Sequence, residues 1–150
     1  MYQHTQRAPM HWILHFFAAY CLVAVWFTRD TPVIAYILLV AGFMFFALGL
    51  MFKHLTIRDD GDHLTVAFGP LPLFGKRVRY DDIHSAKRSR SAVIDGWGVH
   101  YIPGRGTTYN IWGFDCVELD VKGHTVRIGS NDVENLLAFL RGKIEDHQPA

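Results

Sequence analysis

Net charge is the first thing this sequence lacks. Its 15 Lys and Arg stand against 14 Asp and Glu, a formal charge of +1. Nucleic-acid modules carry a basic excess over the whole domain, because phosphate neutralisation supplies most of their affinity. No nucleic-acid partner is expected. Cysteine is almost missing: Cys21 and Cys116 alone make no disulfide framework, and a single strand cysteine such as Cys116 is most often inert filling. Catalytic signatures are missing too. Ser, His and Asp occur, but no nucleophile elbow or spaced triad does. Pro103-Gly104-Arg105-Gly106 opens no helix and carries no Gly-Lys-Ser/Thr, so it is not a phosphate loop. A non-enzymatic chain without cofactor is expected.

Charge is also missing from one long region. Between Met10 and Phe52 the only charged residues are Arg29 and Asp30. Val33–Phe52 is a run of twenty residues, twelve of them Leu, Ile, Val or Phe. As a helix it covers about 30 Å, the hydrocarbon thickness of a bilayer. The twelve favour insertion by about 0.3–0.6 kcal/mol each. Met10–Phe27 is a second span, with Trp12 and Trp26 near opposite ends as interfacial anchors. It exceeds the usual apolar region of a signal peptide, and no small-x-small cleavage site follows. Thr31 suits an N-cap and Pro32 the first helical position, so the short link 28–32 implies an antiparallel hairpin. Ala35, Gly42 and Gly49 recur every seven residues as a small-residue helix-packing seam, inside the hairpin or between two copies. Arg7, Lys53 and Arg58 flank the outer ends, whereas the turn sets Arg29 beside Asp30. By the positive-inside rule both termini are cytoplasmic.

From Lys53 onward the Lys/Arg and Asp/Glu number 13 each and cancel. Leu55, Ile57, Leu64, Val66 and Phe68 alternate with polar residues around Asp60-Gly61, a β-hairpin pattern. Gly69-Pro70-Leu71-Pro72 breaks the ladder. Val78 and Tyr80, then Ile83–Arg90, continue it, the latter as a bent or edge strand. Gly98–Ile102 with Thr107–Ile111, and Val117–Val121 with Val126–Ile128, form two further hairpins, giving about seven short strands. A period of 3.6 follows: Val133, Leu136, Leu137, Leu140 and Ile144 form the apolar stripe of a closing helix, with Asn131 as N-cap and Glu134 as its capping-box partner. The expected organisation is an N-terminal segment and hairpin over 1–53, an α+β domain over 54–146, and a tail over 147–150.

The segments VRYDDIHSAKRSR, GWGVHY, CVELDVKGHTVRIG and NDVENLLAFL resemble small bacterial two-pass membrane proteins that carry a pleckstrin-homology-like (PH-like) domain behind a helical hairpin. The resemblance covers about residues 10 to 145. It implies a curved antiparallel sheet of about seven strands capped by one C-terminal helix, at the cytoplasmic face of the bacterial inner membrane. It further implies a binding or assembly module rather than a catalyst. The first hairpin turn, Asp59-Asp60-Gly61-Asp62, is acidic where phosphoinositide-binding PH domains are basic. That disfavours a specific inositol-phosphate pocket.

Three candidate sites stand out. Lys76, Arg77, Arg79, Lys87, Arg88 and Arg90 would form one cationic patch if their two strands pair, either a solvated face or a contact for anionic lipid headgroups or an acidic partner. Trp97, Tyr101, Tyr109 and Trp112 concentrate aromatic area, as core or as an exposed anchor for a protein partner. His11 and His15 share a helix face at metal-ligand spacing, but no further ligand accompanies them, so no metal is expected. Two functions compete: a membrane-surface binding, scaffold or self-association module, and an accessory subunit of a transport or envelope-lipid machine.

Overall fold

The structure is a computed structural model that describes residues 1–70 and 74–147. Two helices, α1 (Met10–Phe27) and α2 (Pro32–Met51), form an antiparallel hairpin. Pro32 sits in the first turn of α2, where its missing N–H costs nothing. Thr31 makes no side-chain cap.

The hairpin does not simply precede the sheet domain. A strand, β1 (Gln3–Arg7), runs before it and pairs antiparallel with β2 (His54–Asp59), placing Arg7 opposite His54. The helices are thus inserted between two neighbouring strands. Both ends of the hairpin are held side by side, and the domain includes Gln3–Arg7 beyond the expected 54–146.

The expectation of one curved sheet of about seven strands is corrected, among the described residues, to nine strands in two sheets. The first has the order β1-β2-β3-β4, with β3 (His63–Phe68) and β4 (Gly75–Arg79). The second has the order β5-β8-β9-β7-β6. Its strands are β5 (Ile83–Arg90), β6 (Gly98–Ile102), β7 (Gly106–Asn110), β8 (Asp115–Val121) and β9 (His124–Gly129). The split falls at Tyr80–Asp82, one 3-10 turn that lifts the chain from β4 into the other sheet. A strongly twisted sheet divides in this way so that both halves bury one face. Within the second sheet β7 runs parallel to β9, while the other neighbours are antiparallel.

Leu55, Ile57, Leu64, Val66 and Phe68 from the first sheet meet Ile83, Val117, Leu119 and Ile128 from the second in one core. Helix α3 (Val133–His147) closes it with Leu136 and Leu140, both fully buried. Full burial of each such side chain contributes about 1.5–3 kcal/mol. The capping box expected at Asn131 does not form. The Asp132 carbonyl accepts the first helical bond from Leu136 N–H, Asn131 Oδ1 is engaged by His4, and Glu134 pairs with Arg88. Tyr2 at the start of β1 stacks on Phe139 of α3, with centroids 5.4 Å apart, and donates to Asp132. Burial, and then the Asp132 carboxylate, push the Tyr2 phenol well above its ordinary pKa. Leu71 and Pro72 of the expected loop, and tail residues 148–150, lie outside the described residues.

Candidate functional site

The site is built from the base of the hairpin upward. Along the helix seam, Gly42 and Gly49 are buried and Ala35 is half-buried. A Cβ on Gly42 would lie 3.2 Å from Cys21 Cβ, and one on Gly49 would lie 2.7 Å from His15 Nε2. Glycine is therefore what lets α1 approach. His15 is wedged against this seam beside Phe46, its Nε2 buried without a hydrogen-bond partner, while His11 Nδ1 engages the Ala8 carbonyl. The two imidazoles are 6.0 Å apart, and no cluster of three His, Cys, Asp or Glu suited to a metal occurs among the described residues.

Away from the seam the hairpin turns its large apolar side chains outward: Phe16 is 68% exposed, Phe43 73% and Ile37 59%. Buried core helices hide such residues, and folded soluble monomers rarely expose contiguous apolar patches beyond a few hundred Å². Both helices are long and apolar enough to cross a bilayer. They are compatible with a two-pass membrane protein.

Where the hairpin meets the sheets, three aromatic residues converge. A Cβ on Gly98 would lie 3.4 Å from the ring of Phe52, the residue that caps α2. Gln6, just before α1, donates through Nε2 to the Trp112 carbonyl at 2.9 Å. The Trp97 and Trp112 indoles stack on each other, 4.6 Å between centroids and 23° between planes. Both remain exposed, at 41% and 37%. The other two aromatic candidates do not join them. Tyr109 is in the core, where burial pushes its phenol pKa up, and Tyr101 is exposed elsewhere on β6.

The six cations do not make one patch by strand pairing. β4 pairs with β3 and β5 with β8, so the two triplets lie on edge strands of different sheets. Most are paired locally. Arg79 meets Asp81 at 2.8 Å, Lys87 meets Glu118 at 2.9 Å, Arg88 meets Glu134 at 2.5 Å, and Arg90 lies 3.7 Å from Asp115. Lys76 and Arg77, both exposed on β4, make no such pair among the described residues. Exposed pairs of this kind contribute about 0–1 kcal/mol.

A buried polar group went unnoticed in the sequence. Asp95, 1% exposed, accepts two hydrogen bonds from the Arg105 guanidinium at 3.0 and 2.8 Å and one from Ala92 N–H. Arg105 therefore holds the Asp95 carboxyl below its ordinary range. Arg127 links onward, donating to the Arg105 carbonyl and to Glu118. Burial raises the Glu118 pKa, but Lys87 and Arg127 outweigh it and hold that carboxyl low. This chain of charges fixes the β5–β6 loop, which carries Trp97, over the outer face of the second sheet. Its signal in sequence was an isolated Asp in an apolar loop, too weak to assign. Cys116 lies beneath, fully buried, its thiol pKa pushed up by burial.

A cleft of about 610 Å³ opens between Lys76 and the turn tips of the second sheet, with Tyr101, Lys122 and His124 on its walls. Lys122 is paired with Asp82 at 3.0 Å. Asp82 itself, the hydroxyls of Thr107 and Thr125, and the apolar Val121 and Val126 also line it. No protein-family model matches the chain, and neither a curated protein nor a solved structure is found similar to it.

Proposed function

We propose that the chain is a two-pass integral membrane protein that displays a PH-like binding and assembly module at the cytoplasmic face of a bacterial inner membrane, without catalysis of its own. One observation carries the reading: an outward-apolar helical hairpin is inserted between two paired strands of a folded domain. Because Arg7 and His54 are partners in one ladder, a hairpin that crosses the bilayer returns the chain to the side it left. Arg7 and Lys53 at this base, against Arg29 beside Asp30 at the turn, support a cytoplasmic placement of that side by the positive-inside rule. Two groups of strands closed by one C-terminal amphipathic helix support the PH-like part, and the parallel β7–β9 pair is its departure from an all-antiparallel order. The outward face of the module, with Lys76 and Arg77 without ion pairs among the described residues, suits a protein partner or anionic headgroups.

The experiment replaces the hairpin by a short Gly-containing turn joining β1 to β2. The reading expects this shortened chain to fold and stay in solution, and the full chain to require detergent. Partners from solubilised membranes are expected to be retained by the shortened chain. Retention by the hairpin alone would instead favour an accessory subunit of a membrane machine, and full-length protein dispersed without detergent would contradict the membrane reading.

A further inference from the structure

We infer that Trp97 and Trp112 form a seat on which the domain rests in the headgroup layer of the bilayer, fixing its tilt beneath the hairpin; this rests on the membrane reading above. Twenty residues of α2 cover about 30 Å, so its cap, Phe52, lies at the edge of the hydrocarbon. The polar layer beyond that edge is about 5–7 Å deep on each side. Gly98 packs on Phe52, and Gln6, four residues before α1, holds the Trp112 carbonyl. Both contacts bring the stacked pair to that layer.

The chemistry of the pair fits the place. An indole has an apolar body and one N–H donor, which is why tryptophan concentrates where hydrocarbon meets water. The Nε1–H groups of Trp97 and Trp112 make no hydrogen bond to the described residues, and their rings stay more than a third exposed. Phe74 lies at the same end, its carbonyl accepting from Phe68 N–H beside Gly69, and is 45% exposed. A Cβ on Gly69 would collide with the carbonyls of Leu50 and Met51, so Gly69 itself lies against the last turn of α2. Arg7 and Lys53, both exposed, add cations at the same level for anionic headgroups. A protein partner docking on the pair would have to enter the layer that lipid already fills. The bilayer is therefore the occupant.

The test uses the full chain in phosphatidylcholine–phosphatidylglycerol vesicles, with acyl chains brominated near the headgroup end. The four tryptophans divide cleanly: the W12F/W26F variant reports the seat, and the W97F/W112F variant reports the hairpin. The inference expects emission loss on bromination in both. Loss for the hairpin pair with none for Trp97 and Trp112, which aqueous iodide then quenches, would overturn the seat and leave the membrane reading standing. No loss in either variant would overturn both together. Should W12F/W26F fail to fold by circular dichroism, subtracting W97F/W112F emission from that of the unaltered protein isolates the same pair.

Discussion

Proline scanning of β1 tests whether the segment before the hairpin is truly part of the sheet. The backbone of Tyr2 accepts from Asp59 N–H, so Tyr2 and Asp59 form a hydrogen-bonded pair. Antiparallel pairs alternate in type, which makes His4–Ile57 hydrogen-bonded and Thr5–Thr56 not. β1 is an edge strand, so the Thr5 N–H points away from β2. His4→Pro removes one ladder donor and strands the carbonyl of Ile57, a residue 1% exposed. A lost hydrogen bond costs about 0.5–1.5 kcal/mol and an orphaned buried acceptor about 1–3 kcal/mol. Together they destabilise by about 2–4 kcal/mol. Thr5→Pro keeps the extended backbone and loses a solvent-facing donor together with the exposed hydroxyl contact between Thr5 and Thr56, so it is expected to cost about 1 kcal/mol. His4→Ala removes the contact to Asn131 without touching the ladder and serves as the reference. Denaturant unfolding of the full chain in detergent, followed by near-UV circular dichroism, reads all three. Equal effects of the two prolines, or none from either, would refute the inserted-hairpin topology.

Two further predictions follow from the packing and the charges. Leu140→Ala, at a site with no exposure, is expected to cost about 2–5 kcal/mol and lower Tm by about 10 °C or more; an effect under 1 kcal/mol would mean that α3 does not close the core. Asp95→Asn is expected to cost about 1–2 kcal/mol at neutral pH, since Arg105 is partly exposed and screened. Asp95 in the fold titrates below its ordinary value of 3.8 because Arg105 and the Ala92 N–H favour the carboxylate. Its stabilisation is therefore complete above the unfolded pKa and fades as pH falls through the lower folded value. The difference between unaltered protein and Asp95→Asn should shrink below about pH 4; a difference independent of pH would refute the pairing.

The helices were legible because their signals are local. The uncharged run of α2 and Pro32 at its start fix its extent to within a residue, and the Leu136–Leu140 stripe marks α3. β1 was not legible: Gln-His-Thr-Gln-Arg has no apolar alternation, and its order comes from pairing with residues some fifty positions away. The cationic triplets misled for a related reason. Nearness in sequence suggested paired strands, but the turn at Tyr80–Asp82 carries them into different sheets. Of the aromatic set, composition gave the four residues but not the division. Tyr109 turns into the core while Trp97 and Trp112 stack outside it, a choice made by the parallel β7–β9 register and the Asp95–Arg105 clamp.

The inserted hairpin makes a sidedness claim that labelling can decide. With Cys21 and Cys116 replaced by alanine, single cysteines at Asp30 in the helix turn and at Asp62 in the β2–β3 turn report the two ends of the molecule. A membrane-impermeant maleimide applied to intact spheroplasts is predicted to label Asp30→Cys and to reach Asp62→Cys only after permeabilisation. Labelling of both positions before permeabilisation, or of neither until after it, would contradict a membrane-crossing hairpin.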